Sequence, residues 1–341
     1  ADGNKDSNFD NRELEADLES LLGFVDKITK KQDAAIEHYQ KALNLWQEVN
    51  SSNNSEFDLE DKLKRQGKIL GENCSCYYLK AINNTDKTHP DWQATKKSAH
   101  DYLRFFEKNH HQNPDLINYN SLIIGEVLRD LQEWSALKEL FNQALEIHRS
   151  ENQQQDLARD YGFLAEAALG EENWQEARDY ALQALSILSG LTGSDLSQDT
   201  SLYKLLLAKS QYHLGNTSEA IHNLETARKL GEPLENFRLY IDILKNLQKL
   251  YFESKEYLKA FDIKQEQYSV EQQFGLRAFI GAGRLQSFKV EAVSTEHKYS
   301  EKIAPEIAAS TRQLDVERLI QRIGRNDFKL IVIYGQSGVG K

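Results

Sequence analysis

The feature that most constrains this chain is a pattern that returns every forty residues or so. An aromatic or small polar residue is followed three positions later by a small or apolar one: Trp92 and Thr95, Trp134 and Leu137, Trp174 and Ala177, Thr217 and Ala220, Tyr257 and Ala260. The second members stand 40 to 43 residues apart. A fixed period in this range marks an array of helical hairpins, in which no hairpin can bury its apolar side alone and each does so against its neighbours. The chain carries only 4 prolines and 18 glycines in 341 residues, too little punctuation for many short strands and consistent with long helices.

Each unit repeats more than its opening. Twelve residues before the helix-opening positions stand Gly125, Ala165, Ala208 and Gln248, preceded by Ile124, Leu164, Leu207 and Leu247. Four and seven residues after them come Phe141 and Ala144, Ala181 and Ala184, then Leu224 and Ala227. Small residues at these places let two antiparallel helices approach closely, and the large ones fill the groove between them. The last unit keeps Tyr251, Tyr257 and Ala260 but has Lys264 and Gln267 where apolar residues would continue the pattern, as a terminal repeat with a polar outer face requires.

In these residues the chain resembles the tetratricopeptide repeat family, well over about 115 to 272. The stretch 33 to 46, with Ala35, Tyr39 and Ala42 at matching spacings, looks like the second helix of an earlier unit, and 57 to 108 like a degenerate unit with an enlarged loop at 83 to 91. The period exceeds the 34 residues of the standard repeat, so the helices should be about a turn longer. The resemblance implies an all-α fold, a right-handed α-solenoid of tetratricopeptide-like hairpins. The expected organisation is an acidic N-terminal tail over 1–20, degenerate helical repeats over 21–114, clear repeats over 115–274 and a linker over 275–304. A further domain should open at 305.

That further domain carries the one motif with chemistry in it. An amphipathic helix is expected over 305–323, then a buried strand at 328–334 (FKLIVIY), then Gly335-Gln336-Ser337-Gly338-Val339-Gly340-Lys341. The spacing G-x-x-x-x-G-K lets a glycine-rich backbone fold around a phosphate with its N–H groups inward, while the lysine reaches the β- and γ-phosphates. Gly335, Gly338, Gly340 and Lys341 are therefore candidate nucleotide-binding residues of a phosphate-loop α/β domain. The succession of IGAGRLQ (280–286), the helix holding Arg312 and Asp315, and the loop is similar to bacterial, especially cyanobacterial, signal-transduction ATPases of the STAND (NACHT-like) type. That resemblance implies an ATP-driven switch whose repeats sense or recruit a partner. ATP and Mg²⁺ are expected cofactors of a full-length protein. No cofactor is expected to act in this chain, since no hydroxyl residue follows Lys341 and no catalytic set is present.

Candidate partner-binding residues come from the first helix of each unit, which in such arrays lines the concave face. They are Tyr119, Glu126 and Arg129, then Arg159 and Glu166, then Lys209 and Tyr212, then Lys245, Lys249 and Phe252. The expected partner is a protein or peptide, with self-association into a homo-oligomer as an alternative role. A formal net charge of −11 opposes binding to nucleic acid or to an anionic membrane surface. No apolar run approaches a membrane span, and the polar N-terminus reads as neither a signal nor a transit peptide, so a cytoplasmic location is expected. Cys74 and Cys76, two apart on a helix, do not face each other and have no second pair with which to hold zinc; they read as core or half-exposed thiols. No metal site, nucleophile-base pair or other catalytic arrangement is expected.

Overall fold

The computed structural model describes residues 12–50, 58–82, 84, 86–110, 116–191, 196–234 and 236–286, with the backbone alone at 50, 118, 119 and 275–286. The sequence expectations for 305–323, 328–334 and the phosphate loop lie outside these residues. The contacts divide the chain into two units, residues 1–277 and 278–341.

The first unit is an α-solenoid with no strand among the described residues. Its helices pair as antiparallel hairpins: α1 (Arg12–Ile28) with α2 (Gln32–Asn50), α3 (Leu59–Ala81) with α4 (Pro90–Asn109), α5 (Leu116–Asp130) with α6 (Trp134–Ser150), α7 (Gln154–Gly170) with α8 (Trp174–Gly190), α9 (Ser197–His213) with α10 (Thr217–Leu230), and α11 (Phe237–Glu253) with α12 (Tyr257–Gln286). Odd-numbered helices also touch one another in succession, α1 to α3, α3 to α5, α5 to α7, α7 to α9 and α9 to α11. They form the inner row and their partners the outer one.

The repeating small residues do what their spacing requires. Ala144, Ala165, Ala177, Ala181, Ala184, Ala220 and Ala227 are all fully buried. A side chain added at Gly125 would run into the rings of Phe141 and Phe163, which stack with centroids 4.2 Å apart. The aromatic residues that open the outer helices close the joint to the next hairpin: the Trp134 indole covers Gly170, and Trp174 stacks on His213 at 3.8 Å. Cys74 and Cys76 are free and buried, and burial holds their thiols up at about 12 and about 11.

One turn recurs six times. The residue after each of α1, α5, α6, α7, α9 and α11 reaches a left-handed conformation within two positions: Lys30, Gln132, Asn152, Glu172, Gly215 and Lys255 have φ of 57° to 86°. Each donates its N–H three residues back, and the next residue donates five back, as in Glu172 to Leu169 at 3.2 Å and Asn173 to Ala168 at 2.8 Å. This paired arrangement satisfies the last carbonyls of the helix. Glycine occupies the left-handed position only once, at Gly215, which is why the turns leave so little mark on the composition.

Two boundaries differ from the sequence expectation. The first helix begins at Arg12, inside the stretch read as an acidic tail, and α12 continues to Gln286, into the stretch read as a linker. The helix at 12–28 escaped the sequence reading because it turns its polar side inward. Asp17 pairs with Arg65, Glu19 with His38 and Lys41, and Lys27 with Glu72. Only Ala16 and Gly23 among its buried residues are non-polar, and Gly23 lies against the Tyr39 ring.

Candidate functional site

The inner row encloses one large groove, about 800 Å³, to which α3, α5, α7, α9 and α11 each contribute. Its floor combines leucine and isoleucine (Ile123, Leu169, Leu202, Leu205, Leu206) with a line of charged groups. Four of the residues singled out in the sequence meet here: Glu126, Arg129, Glu166 and Lys209. Equivalent positions in successive repeats stack along the array, so Glu126, Glu166 and Lys209 follow one another on neighbouring inner helices.

Arg129 is the hub. Its guanidinium lies 3.7 Å from Glu166 and 3.5 Å from Asp130, and Asp130 in turn accepts a 2.9 Å hydrogen bond from the Tyr78 hydroxyl. Lys209 donates to Asp242 at 2.6 Å. Glu166 has a side chain only 14% exposed, and burial lifts its carboxyl to about 7 although Arg129 and Lys209 pull it down. Burial likewise raises the Glu126 carboxyl, against the opposing pull of Arg129. The physical cause in both cases is the loss of water around a charge that is incompletely compensated. Glu126 makes no hydrogen bond or ion pair within the described residues. The groove therefore presents apolar surface beside two carboxyls, Glu166 paired with Arg129 and Glu126 without an ion pair among the described residues.

The remaining candidates lie elsewhere. Tyr212 and Lys249 flank a small recess of about 50 Å³ with Lys209 and Asn246, where the Lys249 ammonium sits 4.5 Å from the Tyr212 ring centre. Lys245 is exposed at the end of the inner row. Phe252 is 61% exposed and meets the Tyr257 ring edge-on, away from the groove. Arg159 is tied to Asp156 of its own helix at 2.7 Å and does not line the groove. The side chain of Tyr119 and the residues Gly335, Gly338, Gly340 and Lys341 lie outside the described residues.

Several groove residues were not foreseen: Tyr78, Leu79 and Ile82 of α3, Asp130 and Trp134 at the α5–α6 turn, and Asn236 and Arg238 at the start of α11. The α3 residues belong to the degenerate unit, whose spacing does not match the other repeats. Only its run of apolar and aromatic residues, Cys76 to Leu79, hints that the inner row extends that far.

No protein-family model matches the chain. It is 22% identical over 303 residues to an uncharacterized WD repeat-containing protein of Synechocystis sp., an alignment that takes in 78% of this chain and 17% of that protein. The chain thus spans about a sixth of that relative's length. Among solved structures it is similar to BtubC (BKLC) from P. vanneervenii, with a TM-score of 0.51 and 12% identity over 81% of this chain and 99% of that one. The apo form of RapI gives a TM-score of 0.47 at 11% identity, covering 91% of this chain and 92% of that one. At such identities the resemblance to BtubC concerns the fold alone: a tetratricopeptide-like array of helical hairpins. Among the described residues no helix is long and apolar enough to cross a membrane.

Proposed function

We propose that the array is a protein-interaction module whose inner groove takes a segment of a partner protein. The observation that carries this reading is the coincidence, in one groove of about 800 Å³, of an apolar floor with two half-buried carboxyls, of which Glu126 has no ion pair among the described residues. The partner segment lays apolar side chains on Leu169, Leu202 and Leu205 and brings a lysine or arginine to Glu126 and Glu166. A cation there lets Glu166 release its proton, so binding strengthens as pH rises through about 7. Mixed leucine and charge along stacked inner helices favours a segment in extended or helical form over a small molecule.

The test is selection of binding peptides from a displayed random library, followed by fluorescence polarisation at pH 6 and pH 8. Recovered peptides should combine apolar residues with a basic one and should bind at least tenfold more weakly to Leu202→Arg and to Glu126→Gln. Leu182→Arg, on an exposed position of the outer helix α8, should bind as the unchanged chain does. Peptides without a basic residue, or equal losses at Leu182 and Leu202, would remove the groove from consideration.

The motif at 335–341 supports a wider reading in which the array recruits the partner for an ATP-binding switch. Titration of a longer polypeptide carrying the whole domain with ATP and Mg²⁺ tests this, and Lys341→Ala should abolish the binding.

A further inference from the structure

Helix α1 exposes a continuous apolar stripe. Leu14, Leu18, Leu21, Val25 and Ile28 are 49 to 63% exposed, and Leu22 and Phe24 flank them at 39% and 46%. Their spacing along the chain is four, three, four and three, the alternation by which one helix packs along another in a two-helix seam. The helix cannot simply roll to hide them. Its opposite side is pinned by Glu19 to His38 and Lys41 and by Lys27 to Glu72, with Gly23 against Tyr39, and Asp17 at the edge of the stripe is tied to Arg65.

We infer that this stripe is an interface with α1 of a second copy of the chain, the two helices running antiparallel. Charge sets the direction. Glu15 and Asp17, which also face Lys41 and Arg65 of their own chain, border the stripe in its first half, whereas Lys30 and Lys31, the latter 3.6 Å from Asp26, stand just beyond its end. Antiparallel pairing about Leu21 brings the acidic end of each helix to the lysine end of the other, and parallel pairing sets like against like. At roughly 200 Å² for a large apolar side chain, the exposed fractions amount to about 700 Å² per copy, near the ~800 Å² each partner gives to a standard interface. The acidic border also disfavours an anionic lipid surface as the occupant. Helix α1 contributes no residue to the groove, so the pairing stands whether or not the groove binds a peptide.

Sedimentation velocity of the full chain over a hundredfold range of concentration should show a monomer–dimer equilibrium, and Leu21→Asp should shift it at least tenfold toward monomer with unchanged circular dichroism. Direction is read by disulfide trapping, for which Cys74 and Cys76 give no background because they are buried. Leu21→Cys should cross-link to itself. Leu14→Cys should cross-link only when mixed with Ile28→Cys. A chain that stays monomeric throughout, or a dimer indifferent to Leu21→Asp, overturns the interface. Self-linking of Leu14→Cys overturns the antiparallel arrangement.

Discussion

The middle of the array and its first hairpin use the same helices in opposite ways. In α7 and α8 the apolar residues face inward, with Leu164, Ala165, Ala181 and Ala184 fully buried between neighbours on both sides. In α1 the leucines face outward and Glu13 and Glu19 inward. Each region contains a histidine–carboxylate contact, and the two differ in the same sense. His148 and Asp160 meet at 2.7 Å with side chains only 3% and 2% exposed, whereas His38 meets Glu19 at 2.6 Å but is 31% exposed. The difference teaches that position within a one-dimensional array decides what a given contact is worth, because only interior hairpins have a neighbour on each side.

Identical substitutions in the two regions give the sharpest contrast. Leu164→Asp buries a carboxylate with no partner where repeats meet, and should cost more than about 4 kcal/mol and unfold the surrounding hairpins. Leu18→Asp, on the outward stripe, should change the melt of the monomer by less than about 1 kcal/mol. Equal shifts in the two thermal melts would break the comparison. Next in size, His148→Ala strands Asp160 in a sealed site and should cost about 3 kcal/mol, against about 1 kcal/mol or less for His38→Ala, as urea titrations would read.

Smaller effects sharpen the picture inside the groove. The Glu166 carboxyl titrates at about 7 in the folded chain and lower when unfolded, so the folded state holds its proton more firmly. Stability is then lost as pH rises from about 4.5 to 7 and stays lost above. Glu166→Gln should leave stability unchanged at pH 4 and raise it by about 2 kcal/mol at pH 8, checked by chemical denaturation at both. The smallest effect concerns the shared turn. Glu172→Gly should stabilise by up to about 1 kcal/mol and Gly215→Ala should destabilise by a similar amount, since both positions are left-handed. A calorimetric scan with the opposite signs would deny that the turns are equivalent.

What the sequence made legible follows from these differences. Wherever a hairpin has neighbours on both sides, the small or apolar residues must recur, and Leu137, Ala177, Ala220 and Ala260 align on sequence alone. The same alignment puts Glu126, Glu166 and Lys209 at equivalent positions, and all three line the groove. Three things were not legible. The α1 stripe contradicts the rule that leucines mark the inward side. The left-handed turns at Glu172 and Lys255 use residues that carry no turn signal. Tyr78 joins the groove from a unit whose spacing has drifted, so alignment could not reach it.

Among the described residues the apolar interior is grouped along the array. It falls into three clusters, one from Ala16 to Cys76, one from Leu63 to Leu207, and one from Leu205 to Val270, with Leu202 packed against both the second and the third. Heat and denaturant therefore act on a row of linked blocks, each steadied by its neighbours. Amide protons should exchange slowest in α7 and progressively faster toward either end, and a force applied to the two ends should peel hairpins away one block at a time. Lengthening such a row by one hairpin adds a block and a joint while leaving the others as they were. An array of this kind gains reach by repetition, with the outermost helices always the first to open.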